Sequence, residues 1–143
     1  LSAPLEELDK LFAAIRKGYD VAIGSRGVKG TRIFAHQPRY RELGGKALNL
    51  FIRLLATPGI RDTQCGLKLF RGDVARDIFS RTFVWGWAFD VEVLYLARRM
   101  GFSVAEIGVQ WSHGEGSKIR PFKDGLRVLW DLIRIRAHRY PMR

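Results

Sequence analysis

Apolar positions recur at helical spacing near both ends of the chain and at strand spacing between them. Leu5, Leu8, Phe12 and Ile15 follow the three-then-four rhythm of one helix face. Ser2 stands as an N-cap, Pro4 fits the first turn, Glu6 and Glu7 complement the dipole, and Gly18 supplies a stop. Val21-Ala22-Ile23-Gly24 then reads as a short buried strand, so helix passes directly to strand as in an α/β fold. A second helix is predicted over 44–56, with Leu48, Phe51, Ile52 and Leu55 as its apolar stripe, ended by Pro58-Gly59. A strand over 65–70, a short helix over 73–80 and a longer helix over 87–99 closed by Gly101 follow. Residues 104–111 form the next strand, with Ile107, Val109 and Trp111 alternating onto one face.

Two segments lack such periodicity. Residues 25–42 carry Gly27, Gly30 and Pro38 among Arg26, Lys29, Arg32, Arg39 and Arg41, the composition of a long basic loop. Residues 114–121 form a turn-rich loop. A terminal helix over 122–138 places Leu126, Leu129, Trp130, Ile133 and Ala137 on one face, and Arg127, Arg134, Arg136 and Arg139 elsewhere. Such a helix suits a membrane interface or a core contact with solvated charges, and the pattern serves both.

Composition narrows the class. With 143 residues, 47% of them apolar, the chain supports one compact core. The 25 Lys plus Arg exceed the 14 Asp plus Glu, for a formal net charge of +11. That balance favours an anionic partner: nucleic acid, an acidic membrane surface or a phosphate-bearing substrate. Cys65 is the single cysteine, so no internal disulfide can form and a reducing compartment fits. No apolar run approaches the ~18–20 residues of a membrane-spanning helix. The chain starts at Leu1 rather than Met and reads as sequence that begins mid-protein.

Four segments carry candidate chemistry. Arg26 follows the predicted strand end at Gly24-Ser25, where ligands of α/β sheets collect, and arginine suits phosphate through its planar fork. A surface arginine in a solvated loop reads the same way. In Arg61-Asp62-Thr63-Gln64-Cys65-Gly66-Leu67-Lys68, Asp62 could orient a nucleophile, bind a metal through water, or cap a turn. In Trp87-Ala88-Phe89-Asp90-Val91-Glu92, the carboxylates suit dipole partners, or a base held among aromatics. Finally, Trp111-Ser112-His113-Gly114-Glu115-Gly116-Ser117-Lys118 combines small residues with groups suited to phosphate oxygens, without P-loop spacing. His113 has no His or Cys at zinc-ligand spacing, and no G-x-S-x-G elbow supports a serine hydrolase.

In this order, Asp62 to Phe70, Trp87 to Glu92, Glu106 to Trp111 and Gly116 to Lys118 resemble glycosyltransferase family 2, in its polyprenyl-phosphate branch. The resemblance spans nearly the whole chain and is nearest to the dolichyl-phosphate β-glucosyltransferase type. It implies the C-terminal part of a GT-A type, Rossmann-like α/β domain occupying 1–143. It implies a nucleotide-sugar donor such as UDP-glucose, a polyprenyl-phosphate acceptor, inversion at the anomeric carbon, and work at the cytoplasmic side of a membrane. A divalent metal, Mg or Mn, is implied on an Asp-x-Asp motif. No such motif is present, and relatives carry it just before a segment like Leu1-Ser2-Ala3-Pro4, so the metal site is expected upstream of Leu1 and the piece alone is expected to be inactive.

By the same resemblance, Arg26 and Arg41 match arginines that hold the acceptor phosphate, with the mobile acceptor loop between them. Asp62 and Gln64 would line the reaction centre, and Asp90 falls where many members carry a catalytic carboxylate. Ser117 and Lys118 would contact substrate. Mannosyl-branch members often lack a carboxylate at the place of Asp90 and carry an arginine near Ser112-His113; its absence here favours the glucosyl-like branch. Two other classes compete: a basic nucleic-acid-binding domain, supported by charge alone, and a non-catalytic membrane-surface module. No helix-turn-helix, RNA-recognition or zinc pattern supports the former, so nucleic acid is not expected as a partner.

Overall fold

The computed structural model describes residues 3–29, 32–33, 39–111 and 121–142. A short 3-10 turn, Leu5–Glu7, leads into α1 (Leu8–Arg16), and β1 (Val21–Ser25) follows. Next come β2 (Arg32–Ile33), α2 (Arg39–Leu55), β3 (Lys68–Phe70) and α3 (Gly72–Phe79). A 3-10 turn, Gly86–Ala88, opens α4 (Phe89–Arg99), and β4 (Val104–Gly108), β5 (Gln110–Trp111) and α5 (Pro121–Ala137) complete the chain. Ser2 lies outside the described residues.

The sheet has the order β3-β1-β4. β1 runs parallel to β4, with Ile23 opposite Glu106 and Ser25 opposite Gly108. It runs antiparallel to β3, with Ile23 opposite Lys68. β2 and β5 form a separate parallel pair. Because strand residues alternate between faces, β1 feeds two cores. Ala22 joins Leu11 and Ala14 of α1 with Cys65, Ala105 and Val109. Val21 and Ile23 join Val74 and Ile78 of α3 with Val93, Leu94, Leu96 and Ala97 of α4. Helices therefore cover both faces of a mixed sheet, the layering of a partial Rossmann-like domain. A third cluster joins Ile52 of α2 and the adjoining Ala56 to Val91 of α4 and to Val128 and Leu132 of α5.

Several sequence expectations need correction. The basic loop does not extend to residue 42: Arg32–Ile33 is a strand, and α2 begins at Arg39. The pair Gly44-Gly45 reads as a helix start, but good helix formers on both sides carry the helix through it. The strand expected over 104–111 divides at Val109, because its first part pairs with β1 and its last two residues with β2. β3 starts only at Lys68, although the Leu67 carbonyl already accepts a 2.8 Å bond from the Gly24 amide. Trp87 belongs to the 3-10 turn rather than to α4. In α1 the buried positions are Leu11 and Ala14, and Phe12 is exposed. In α5 the core face is Val128, Leu132 and Ile135, while Leu126, Trp130 and Ile133 of the expected stripe face solvent.

Candidate functional site

The carboxyl end of β1 and the segment 61–68 form the most organised polar cluster. β1 is buried along its whole length, so the chain reaches the surface abruptly after Ser25, and Arg26 is the first side chain past the strand. Asp62 is buried and faces it. The Arg26 amide donates to Asp62 Oδ2 at 2.9 Å, Nε to the same oxygen at 2.6 Å, and Nη2 to Oδ1 at 2.8 Å. The guanidinium and carboxylate are thus locked as a bidentate fork, reinforced by the backbone. The Gln64 amide adds a 3.3 Å bond to Asp62 Oδ1, and the Gln64 side chain is half-buried.

Burial alone would raise the pKa of Asp62. The hydrogen bonds and charge of Arg26, with the backbone amides of Arg26 and Gln64, outweigh it and hold the carboxyl below the usual carboxylate value. Arg26 is pushed upward by the same hydrogen bond, against its own desolvation. The pair is therefore doubly ionised at neutral pH. Asp62 is a weak base there and suits orientation better than proton abstraction.

Two elements and one further bond hold the backbone beneath this pair. Glu106 on β4 accepts the Arg61 amide at 2.9 Å and the Asp62 amide at 3.0 Å. Asn49 on α2 donates to the Arg61 carbonyl at 2.6 Å. Arg61 Nη1 donates to the Gly27 carbonyl at 3.3 Å, and a Cβ on Gly27 would stand 3.2 Å from the Arg61 Cβ, so the two segments touch. Sequence reasoning assigned no role to Glu106 or Asn49. The signal for Glu106 was its place in a strand, between the apolar Ala105 and Ile107.

Asp90 pairs elsewhere, with Lys68 Nζ at 2.7 Å. That ammonium also donates to the Cys65 carbonyl, so the segment 61–68 carries both ion pairs. Cys65 is buried, and burial pushes its thiol pKa up. Glu92, also in the first turn of α4, is fully buried, accepting from the Phe83 and Val84 amides and from the Tyr140 hydroxyl at 2.8 Å. Arg41 falls in the first turn of α2, but its side chain lies outside the described residues, as do Ser117 and Lys118. Among the described residues no cluster of three or more His, Cys, Asp or Glu offers a metal donor set. No helix described is long and apolar enough to cross a membrane.

No family model matches the chain. Curated relatives do. A dolichyl-phosphate beta-glucosyltransferase of Dictyostelium discoideum is 44% identical over 88 residues, covering 62% of this chain and 27% of its own length. The Homo sapiens protein of that name is 41% identical over 116 residues, covering 81% of this chain and 36% of its own. That of Drosophila melanogaster is 36% identical over 135 residues, covering 90% and 41%. The chain thus spans well under half the length of the curated relatives it matches. The order of its motifs, its mixed sheet with helices on both faces, and matches of this extent place the chain in the family of the dolichyl-phosphate β-glucosyltransferase-like glycosyltransferases.

Proposed function

We propose that the longer protein to which this chain corresponds transfers glucose from a nucleotide-sugar donor, such as UDP-glucose, to a dolichyl-type polyprenyl phosphate. This chain would supply the acceptor side of the site. The observation that carries the reading is the Arg26–Asp62 fork at the carboxyl end of β1, in a chain whose relatives are named for that reaction.

The chemistry asks little of a base. A phosphate oxygen is already ionised at neutral pH and attacks the anomeric carbon as it stands. The difficulty is to bring an anionic acceptor to an anionic donor, which positioning and fixed positive charge resolve. Arg26 supplies that charge and Asp62 fixes its direction. A guanidinium held in advance loses less freedom when phosphate arrives than one swinging in solvent. Attack from the face opposite the leaving group gives the inverted, β-linked product expected of the family. Asp90, Arg41, Gln64, Ser117 and Lys118 are proposed as further contacts of the reacting groups. The divalent metal is assigned to none of the described residues, and its donor set is proposed to lie in the rest of the longer protein.

A membrane surface, on its cytoplasmic side, is proposed as the place of reaction. Two residues along a helix turn by about 200°, so positions flanking a buried one face outward. Leu50 and Leu54 of α2 flank the buried Ile52, and Trp130 of α5 stands between the buried Val128 and Leu132. Both helices thus turn apolar side chains away from the core they share. Lys123, Arg127 and Arg134 on α5 are exposed beside the Leu126–Trp130–Ile133 stripe, as in helices that lie in an interface.

The test is a transfer assay on the longer protein with UDP-glucose and a polyprenyl phosphate. Arg26→Ala should raise KM for the lipid phosphate about tenfold or more, the size of a lost charge-assisted bond, and leave the donor KM within about twofold. Unchanged acceptor kinetics would remove Arg26 from the phosphate site. Vesicle binding by the wild type with no transfer would replace the enzyme by a membrane-surface module.

A further inference from the structure

We propose that Glu106 is a positioning residue for the acceptor step: from β4 it fixes the Arg61–Asp62 backbone and, through the Asp62 carboxylate, the direction of the Arg26 guanidinium. The inference rests on the function proposed above and gives a role to Glu106, which opens one of the four segments but had none.

Alternation sets the direction of the side chain. Ala105 and Ile107 pack with the Leu11 cluster, so Glu106 emerges on the other face of the sheet, where the cluster of Val21, Ile23 and Ile60 lies. A carboxylate beside an apolar face needs donors. Here it takes two successive backbone amides: Oε1 accepts from Arg61 and Asp62, and Oε2 accepts from Arg61 at 2.9 Å. The strand is a rigid base, since β4 is paired with β1 through its whole length.

The segment it holds has no regular hydrogen-bond ladder of its own to fix the backbone at Asp62. Residues 61–67 belong to no helix or strand. Their position relative to β1 depends on bonds from other elements: Glu106 to the two amides, Asn49 to the Arg61 carbonyl, the Gly24 amide to the Leu67 carbonyl, Arg61 Nη1 to the Gly27 carbonyl, and Asp62 itself to Arg26. Without Glu106, two amides lose their acceptor, the backbone at Asp62 is free to shift, and the carboxylate no longer meets Arg26 in both bonds at once. A phosphate would then find a guanidinium whose direction is unfixed. Loss should therefore show as weak acceptor use, with donor use spared.

Glutamine keeps one carbonyl oxygen at the position that accepts both amides, so its effect should be small. Alanine removes the acceptor altogether. In the longer protein, Glu106→Ala should raise KM for polyprenyl phosphate about tenfold, with donor KM within about twofold, and Glu106→Gln should restore most of the loss. Because Glu106 acts through Asp62, Glu106→Ala added to Asp62→Ala should cost little more than Asp62→Ala alone. Full additivity, or equal loss on both substrates in both Glu106 variants, would overturn the proposal.

Amide hydrogen exchange decides the structural part without any turnover. Glu106→Ala should speed exchange at Asp62 and also at Arg26, whose amide is bonded to Asp62 Oδ2, whereas Glu106→Gln should not. Unchanged exchange at Arg26 would overturn the coupling itself. A wild-type enzyme that transfers nothing to polyprenyl phosphates would instead sink the proposed function, and the coupling would stand or fall on the exchange result.

Discussion

Asp62 links site geometry to pH. Its carboxyl titrates below the ordinary value because the bonds and charge of Arg26 outweigh its burial. The native state thus binds the proton less tightly than the unfolded chain. The stability so gained is complete above the unfolded value near 3.8 and is lost as pH falls through it toward the lower folded value. Arg26, shifted upward, stays charged throughout. Asp20 is lowered too, chiefly by the Ser103 backbone amide, so Asp62 accounts for only part of the acid sensitivity. Urea unfolding at pH 7 and pH 3 should therefore show a smaller drop for Asp62→Asn than for the wild type. Equal drops would mean that the fork contributes no pH-dependent stability. Glu92 is a second buried carboxyl, with Phe83, Val84 and Tyr140 as its donors. Tyr140→Phe removes one of the three and should cost about 1–2 kcal/mol, while Glu92→Ala strands all of them and should cost about 3 kcal/mol or more. Denaturant midpoints at constant slope would check both, and equal costs would show that the Tyr140 bond alone matters.

Elements were legible where one periodicity meets one partner. α1 ends where Gly18 takes a φ of 102°, and α4 ends before Gly101 at 79°, as their sequence stops imply. β1 is buried on both faces, as its unbroken apolar run predicts. Periodicity failed where the partner changes or two faces compete. β4 and β5 continue one alternation across Val109 but pair with different strands. α5 carries two apolar rows at the same spacing, Leu126–Trp130–Ile133 and Val128–Leu132–Ile135, and only tertiary packing selects the second for the core. The site divides in the same way. Motifs singled out Arg26, Asp62 and Gln64, but no local signal joins residues 36 apart into a fork, or brings Glu106 to an amide 44 residues away. Close approach between elements is also what makes Gly24 necessary. A Cβ there would stand 3.1 Å from Cys65 Sγ and 3.2 Å from both Val109 methyls. Gly24→Ala should therefore destabilise the protein by about 1–3 kcal/mol through overpacking, measured by thermal unfolding. A neutral result would show that Cys65 and Val109 can move aside.

At the scale of the whole molecule, charge and apolar exposure act together. A net charge of +11 suits an anionic surface, but charge alone binds weakly once salt screens it. In the proposed membrane contact, the outer faces of α2 and α5 would supply the other component. Leu54 is 68% exposed, Leu126 67%, Trp130 62% and Ile133 58%, while the inner faces of the same helices close on Val91. Beside them, Trp85 is 84% exposed just before the turn that leads into α4. Burying one large apolar side chain yields roughly 1.5–3 kcal/mol when complete, and about half of that in an interface, roughly 0.75–1.5 kcal/mol, is comparable with the ~1 kcal/mol from one basic residue near an anionic surface. The two contributions can be separated on vesicles containing anionic lipid. Raising salt should weaken wild-type binding without abolishing it. Trp130→Ser combined with Leu54→Ser should weaken it about tenfold or more, corresponding to ~1.4 kcal/mol or above, and the residual binding should vanish at high salt. If the double variant binds like the wild type and salt alone removes both, the apolar faces do not enter the bilayer, and attraction to the surface is purely electrostatic.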